Sequence, residues 1–149
     1  MGIKLVTLRT GIVLAKGGGA LDKFKQPLRF GVATVLGSGK QIVSWIHIDD
    51  LVRLYIRALE NETMEGVYNA VAPAPVSNKT LMLILARRIK GKYFTAFHVP
   101  VFILKLVLGE MSIEVLKSAT VSCIKLHAEN FSFIYPGIEA AIDDCVKRN

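Results

Sequence analysis

The sequence predicts an α/β fold in which short buried strands alternate with amphipathic helices. Three observations lead to this prediction. Short runs rich in β-branched residues recur along the chain, glycine or proline ends most of them, and segments with helical spacing of apolar residues follow. Such an alternation is typical of a largely parallel sheet covered by helices.

The start of the chain predicts a strand, a bend and a helix. Ile3 to Leu8 is a mostly apolar, β-branched run, as expected for a strand buried on both faces. Arg9-Thr10-Gly11 should interrupt this strand, and Ile12 to Leu14 should extend it. The triple glycine Gly17 to Gly19 should form a flexible bend before a helix that starts near Ala20.

The next stretch predicts a turn and a second strand. Phe30 to Leu36 should be irregular or weakly extended, and Gly37 to Gly39 should form a turn. Gln41 to Ile48 should form one strand whose side chains alternate between two faces. Val43, Trp45 and His47 would share one face, and Ile42, Ser44, Ile46 and Ile48 the other.

Capping residues set the expected bounds of two helices. Asp49 or Asp50 should cap a helix that runs to about Asn61. After a strand at Gly66 to Val71, Ser77 and Asn78 are good caps for a helix that stops at Gly91.

The remaining third of the chain predicts mainly short helices. Pro100 can open one helix, and a terminal helix should start near Pro136. The full set is a strand at Tyr93 to His98, helices through Leu108, at Ile113 to Ser118 and at Cys123 to Glu129, a strand at Phe131 to Tyr135, and a terminal helix with Ile138, Ala141, Ile142 and Cys145 on one face.

Composition excludes several classes of protein. The 149 residues fit one domain, and a hydrophobic content of 52% is above the usual 45–50%, so a partner is expected to cover part of the surface. The longest apolar run, Val99 to Leu108, is too short for a membrane span and contains Pro100 and Lys105. The net charge of +7 is scattered rather than clustered, so neither nucleic acid nor a membrane is expected as a partner. Two isolated cysteines without metal or redox spacing favour reduced thiols in the cytoplasm and no metal site.

Two residues deserve weighing as catalytic groups. His47 could carry a proton near neutral pH, but its position favours a histidine that holds the strand end to a neighbouring loop. Asp50 could bind substrate, but its position before Leu51 favours helix capping.

Several motifs together resemble one known family. Leu8-Arg9-Thr10-Gly11-Ile12-Val13-Leu14 is followed by Gly18-Gly19-Ala20-Leu21, and later by Ser44-Trp45-Ile46-His47-Ile48-Asp49-Asp50-Leu51. With Gly66 to Ala70 and Phe131 to Pro136, these blocks resemble the C-terminal half of an extended short-chain dehydrogenase/reductase of the NAD-dependent epimerase/dehydratase superfamily. The branch indicated is that of nucleoside-diphosphate-sugar epimerases with a short C-terminal extension.

The resemblance implies a partial Rossmann-type fold. Residues 1–98 would be the substrate-side part, and residues 99–149 a helical extension packed on it in one compact unit. Intact members bind NAD or NADP through an N-terminal glycine-rich turn, and catalysis uses a Tyr-x-x-x-Lys pair. Neither motif is present here, although Gly17 to Gly19 could still cradle a phosphate. The chain is therefore expected to bind no cofactor and to be catalytically silent alone.

The resemblance also implies substrate-binding residues for a nucleotide-sugar-like ligand, namely Arg9, Gly11, Trp45, His47 and Asn69. Two departures concern the diphosphate. Ile12 stands where sugar-nucleotide members commonly carry Asn, and Val43 and Ser44 stand where they often carry Arg-Asp. Valine cannot replace a forked guanidinium donor.

A non-enzymatic interaction or assembly module is the rival interpretation, because an exposed sheet edge can pair with a partner chain. Both interpretations predict self-association. A symmetric homodimer through the N-terminal strand, with Ile3, Leu5 and Val6 at or near the contact, is the expected form.

Overall fold

A computed structural model describes residues 4–108 and 118–147 of the chain. These residues form eight strands and six helices. The strands are β1 Val6–Thr10, β2 Ile12–Leu14, β3 Val32–Leu36, β4 Ile42–Val43, β5 Trp45–His47, β6 Gly66–Ala70, β7 Val76–Ser77 and β8 Thr95–Val99. The helices are α1 Gly19–Leu28, α2 Ile48–Glu60, α3 Asn78–Lys90, α4 Val101–Leu108, α5 Ile124–Ala128 and α6 Ile138–Lys147.

Strand pairing is mainly parallel, which confirms the predicted fold class. Within the described ranges, β1 pairs with β6, β2 with β5 and β3 with β8, all parallel, whereas β4 and β7 form an antiparallel pair. Parallel neighbours require crossover connections, and α1 lies in the connection between β2 and its partner β5.

The core lies on both faces of β5. Trp45 is fully buried in a cluster formed by α1, α3 and α6, and Ile46 is fully buried in a second cluster formed by α2, β6 and α5. Because consecutive strand residues point to opposite faces, neighbouring apolar side chains can fill two cores. Replacing Trp45 or Ile46 with a polar residue would therefore lower the stability of the fold.

The locally encoded helix ends agree with the sequence. The Ser77 hydroxyl oxygen accepts a hydrogen bond from the Thr80 N–H at 3.1 Å, and Gly91 ends α3 with a φ of 62°. The predicted face of the terminal helix is also confirmed, since the buried residues of α6 are Ile138, Ala141, Ile142 and Cys145.

The predicted strand at Gln41 to Ile48 is wrong in its length. It consists of β4 and β5 separated at Ser44, and Ile48 already belongs to α2. Upstream, Arg9 and Thr10 lie within β1, so the strand is interrupted only at Gly11. Both differences have one cause, which is a change of strand partner at Gly11 and Ser44.

The predicted cap of α2 is also wrong. His47 is the N-cap, and its Nδ1 accepts a hydrogen bond from the Asp49 N–H at 3.2 Å. Asp50 instead accepts hydrogen bonds from the Ile134 N–H at 2.7 Å and the Tyr135 N–H at 2.9 Å. This buried carboxylate therefore anchors a distant segment rather than its own helix.

Two further expectations change. Val32–Leu36 forms a regular strand because β8 supplies its hydrogen-bonding partner. Phe131 to Tyr135 forms no strand, since Asp50 binds its N–H groups in place of a neighbouring backbone. The expectations for Ile3 and for Ile113 to Lys117 lie outside the described residues. Within the described part of the chain, none of the helices has the length and apolar character needed to cross a bilayer.

Candidate functional site

The sheet forks at Gly11. Up to this residue the strand pairs with β6, and the Gly11 N–H donates to the Ala70 carbonyl at 3.2 Å. One residue later, the Ile12 N–H donates to the Ser44 carbonyl at 2.9 Å, and β5 becomes the partner. A Cβ on Gly11 would lie 2.6 Å from the Ser44 carbonyl oxygen, so only glycine fits the fork.

A polar cleft of about 380 Å³ opens beside the fork. Because β1 and β6 are parallel, their carboxyl ends lie at the same edge, and this edge lines the cleft. In open parallel sheets, ligands bind in crevices outside the carboxyl ends of strands. The lining residues are Arg9, Thr10, Gly11, Asn69, Val71, Thr120, Val121 and Ser122.

A second, more apolar cleft of about 590 Å³ lies on the other side of the fork. It shares Thr10, Gly11 and Val121 with the polar cleft, so the two clefts are adjacent. Its remaining lining residues are Ile12, Ala20, Lys23, Phe24, Leu36, Gln41, Ile42, Val43, Ser44, Asn78 and Ala119.

The segment 118–122, which we call the strap, runs along both clefts. The Ser44 hydroxyl donates to the Ala119 carbonyl at 2.8 Å and accepts from the Val121 N–H at 3.1 Å. The Asn69 side-chain amide donates to the Ser122 carbonyl at 3.0 Å. The strap is therefore held by residues of the fork and of the neighbouring strand.

Three of the five predicted site residues come together. Arg9, Gly11 and Asn69 all line the polar cleft. The Arg9 side chain is exposed and makes no hydrogen bond or ion pair with any other described residue. Its guanidinium can therefore bind an anionic group.

Trp45 lies elsewhere. It is 0% exposed, and its indole Nε1 donates to the Ala74 carbonyl at 2.9 Å. It lines neither cleft, because the inward face of β5 carries it into the core.

His47 is likewise buried, and it joins three elements. Its Nδ1 caps α2, its Nε2 lies 3.3 Å from Asp144 Oδ2 on α6, and its ring lies 4.0 Å from that of Tyr135. His47, Asp144 and Cys145 place potential metal ligands within 4.8 Å of one another. However, a neutral His47 that accepts at Nδ1 carries its proton on Nε2, whereas a metal-bound histidine donates from its second nitrogen. The cluster therefore has the chemistry of a structural histidine.

Sequence reasoning missed the apolar cleft and the strap. The sequence predicts Gln41 only as the start of a strand and Asn78 only as a helix cap. One signal was available, because Ile12, Val43 and Ser44, the three departures from the family pattern, all line this cleft. The three altered positions therefore lie together in the fold.

The bend at Gly17 to Gly19 lacks two features of a dinucleotide phosphate turn. Gly18 is the N-cap of α1, and a Cβ built there would meet nothing within 4 Å. The bend therefore does not need glycine for close packing, and the G-x-G-x-x-G spacing of a pyrophosphate turn is lacking.

The parallel pairs, the crossover helix and a cleft at the carboxyl edge define a Rossmann-type α/β protein. Residues 19–70 match the NAD dependent epimerase/dehydratase family, and residues 99–145 match a domain of unknown function, DUF1731. The chain is similar to this epimerase family over those residues, and the resemblance indicated by its motifs is confirmed.

Individual relatives agree with the family match. The chain is 40% identical over 146 residues to an epimerase family protein of Staphylococcus saprophyticus and 39% identical over 146 residues to one of Staphylococcus epidermidis. Each match covers 98% of this chain and 48% of the relative. The chain thus spans about half the length of the curated relatives it matches.

A solved structure shows the same arrangement. The structure of human epimerase family protein SDR39U1 (isoform 2) with NADPH matches with a TM-score of 0.91 and 29% identity. The match covers 98% of this chain and 49% of the human one.

Proposed function

We propose that this chain is the C-terminal, substrate-binding portion of an NAD(P)-dependent nucleoside-diphosphate-sugar epimerase, dehydratase or related reductase. One observation carries the proposal. Arg9, Gly11 and Asn69, which the family resemblance assigns to substrate, meet in one cleft at the carboxyl edge of parallel strands.

Two residues of the polar cleft and two buried residues have roles in this proposal. The Arg9 guanidinium would bind a phosphate or carboxylate of a nucleotide-sugar-like substrate. The Asn69 side-chain amide donates to the Ser122 carbonyl, and its side-chain oxygen could accept a hydrogen bond from a sugar hydroxyl. Trp45 and His47 would act indirectly, because they fix β5 and the start of α2 behind the cleft.

Hydride chemistry belongs to the intact family protein in this proposal. NAD or NADP would be held by a strand, a glycine-rich turn and a helix, and a Tyr-x-x-x-Lys pair would exchange the proton. This sequence carries neither motif. Residues 1–98 would form the substrate side and residues 99–149 the extension on it, in a cytoplasmic protein whose cysteines Cys123 and Cys145 are reduced thiols.

Calorimetry of the 149-residue chain tests this function. We expect UDP-glucose to bind, Arg9→Ala to weaken binding about tenfold through loss of a charge-assisted contact, and NAD and NADP to give no heat. Arg29→Ala is the matched control, because Arg29 is exposed and lines neither cleft. Equal weakening by both variants would contradict the cleft assignment. Micromolar binding of NAD would instead make Gly17 to Gly19 a phosphate loop.

An assembly role is the second candidate, and α2 favours it. Val52, Tyr55, Ile56 and Leu59 are exposed apolar residues at helical spacing on one face of α2. Leu5 is also 71% exposed, beside β1, whose described partner is β6. Contiguous apolar surface of this kind marks interaction sites. Under this proposal the chain forms a homodimer.

A further inference from the structure

The strand β8 lies at the edge of its sheet. Within the described ranges, β8 pairs with β3 and with no second strand. Helices α1 and α3 pack on β3, where Ala33 is fully buried among their side chains. The residues from Thr95 to His98 are all exposed, so the cover that these helices give β3 does not extend over β8. An open strand edge of this kind is a template for pairing with another chain.

The hydrogen-bonding pattern shows which backbone groups of β8 face outward. The Thr95 N–H donates to the Gly31 carbonyl, which directly precedes β3, at 2.9 Å. Alternate residues of a parallel strand direct both of their backbone groups to the same neighbouring strand. Thr95 and Phe97 therefore bond to β3. Ala96 and His98 direct their N–H and C=O groups to the outer edge.

Exposed aromatic side chains lie close to this edge. Phe97 is 57% exposed, and Phe30 and Tyr93 are 87% and 88% exposed. Phe30 and Tyr93 precede β3 and β8, and the bond from the Thr95 N–H to the Gly31 carbonyl joins their two segments. Exposed apolar patches mark interaction sites. The edge therefore offers an added strand both backbone hydrogen bonds and apolar contact.

Cationic residues concentrate in the same part of the fold. Residues 23–48 and 66–109 contain ten of the 19 Lys and Arg residues and none of the 12 Asp and Glu residues. These two ranges include all of β3, α3 and β8. At the start of β8, Lys92 is exposed, and the Lys90 Nζ donates to the Arg29 carbonyl at 3.1 Å. Charges that look scattered along the sequence thus belong to elements that pack together, which favours an anionic partner.

Carboxylates neutralise little of this charge near β8. Arg29 and Lys92 form no ion pair with any described residue. Arg88, on the preceding helix α3, is paired with Asp143 of α6. An acidic ligand would therefore meet unpaired cations beside the open edge.

We propose that the outer edge of β8 binds an acidic, extended segment of a partner protein, which adds a strand beside β8. The backbone groups of Ala96 and His98 would bond to the added strand. Apolar side chains of the segment would contact Phe97, and its carboxylates would lie near Arg29 and Lys92. β8 lines neither cleft, so this inference goes beyond the proposed function and does not depend on it.

NMR titration of the 149-residue chain with a peptide tests this surface. The probe is the capped peptide Glu-Val-Thr-Val-Thr-Val-Glu, and the same peptide with Lys in place of each Glu is the charge control. We expect the acidic peptide to shift the amide signals of Ala96 and His98. The basic peptide should bind roughly fivefold more weakly, because its charges meet like charges.

N-methylated peptides distinguish strand addition from charge attraction alone. Only one edge of an added strand faces β8, and the N–H groups at that edge belong to alternate residues. One probe is therefore methylated at the Val nitrogens and another at the Thr nitrogens, which removes the donors of one edge or of the other. One of these probes should lose binding, and the other should keep it.

Two variants test the protein side of the contact. Ala96→Pro removes an outward N–H and should weaken the acidic peptide roughly threefold to tenfold, with little change in the thermal midpoint, because edge strands tolerate proline. Lys92→Glu should weaken the acidic peptide about fivefold. Lys79→Glu is the matched control, because Lys79 is exposed at the opposite end of α3 and the change of charge is the same.

The other outcomes would overturn the proposal. If both N-methylated probes bind, or neither does, no strand is added to β8. Equal weakening by Lys92→Glu and Lys79→Glu would show attraction by the general field of the protein. Shifts at Ala96 and His98 that grow with protein concentration, without peptide, would assign the edge to a second copy of the chain. Stronger shifts with an oligothymidylate than with the acidic peptide would assign it to nucleic acid. None of these results affects the Arg9 test of the polar cleft.

Discussion

Asp50 and Asn78 are both buried polar side chains, but their surroundings use them differently. The Asp50 carboxylate accepts from the Ile134 N–H, the Tyr135 N–H and the Arg53 guanidinium, so both of its oxygens are bonded. Asn78 has one bonded oxygen and an amide nitrogen with no described partner. A saturated polar group stabilises the fold, whereas a group with spare capacity is available to a ligand. Residue type and burial alone do not distinguish the two roles.

The largest expected effect is at the saturated group. Asp50→Ala should lower the free energy of unfolding by about 3 kcal/mol, because two backbone N–H groups and Arg53 lose their acceptor in a buried site. Chemical denaturation measures this loss. Asp49→Ala is the control and should cost less than about 1 kcal/mol, as expected for a half-buried carboxylate in the first helical turn. Equal losses would mean that capping, rather than the distant segment, explains Asp50.

The same contrast explains what the sequence could predict. The Ser77 cap and the buried face of α6 depend on residues within one or two helical turns, so spacing was sufficient to find them. The Asp50 contacts join residues 84 and 85 positions apart, and no local pattern records such a pairing. Sequence position alone therefore predicted Asp50 as the cap of the nearest helix. The strand predicted at Phe131 to Tyr135 is absent because the Ile134 and Tyr135 N–H groups bind Asp50.

The candidate site divides in the same way. Motif resemblance found Arg9, Gly11 and Asn69, which the parallel register of β1 and β6 brings together. The sequence could not identify Gln41 and Asn78 as cleft residues, because only the folded chain shows that both side-chain amides bond to the backbone of Leu36. A family resemblance identifies which residues to consider, but only the structure shows which of their polar atoms have hydrogen-bond partners.

The fork that separates the two clefts should be the next most sensitive point. Gly11→Ala places a methyl group against the Ser44 carbonyl and Val71, and should cost about 2 kcal/mol. Because both clefts share this residue, ligand binding in each should weaken together. Thermal unfolding and nucleotide titration measure the two effects. Gly18→Ala is the control, since a Cβ there meets open space. An unchanged midpoint for Gly11→Ala would show that the fork can widen.

The apolar face of α2 extends the comparison from polar to apolar groups. Leu59 is 84% exposed, so its apolar side chain is available for contact with a second chain. Leu59→Glu should weaken self-association about tenfold and leave the monomer stable, since a charge at an apolar contact is costly there but harmless in water. Sedimentation across a concentration series is the measurement. Glu62→Gln, an exposed position just beyond α2, is the control. A strictly monomeric parent chain at high micromolar concentration would contradict the homodimer.

The smallest expected effect concerns Tyr68, a second saturated group. Its hydroxyl lies 3.0 Å from Glu129 Oε1, and burial, followed by this hydrogen bond and the glutamate charge, raises the pKa of Tyr68 above its ordinary value of 10.0. Above about pH 10 the unfolded tyrosine loses its proton first. The folded state then binds more protons, so the free energy of unfolding falls as pH rises.

Tyr68→Phe removes that pH dependence. At neutral pH the variant should lose about 1 kcal/mol, the usual contribution of one hydrogen bond. Between pH 9 and 11 (roughly the range over which a free tyrosine ionises) its stability should decline less steeply than that of the parent chain. Denaturation at a series of pH values tests both parts, with the exposed Tyr93→Phe as control. Parallel pH curves for the parent and Tyr68→Phe would show that Glu129 does not hold the Tyr68 proton, and that the hydrogen bond of this pair, unlike those of Asp50, contributes little.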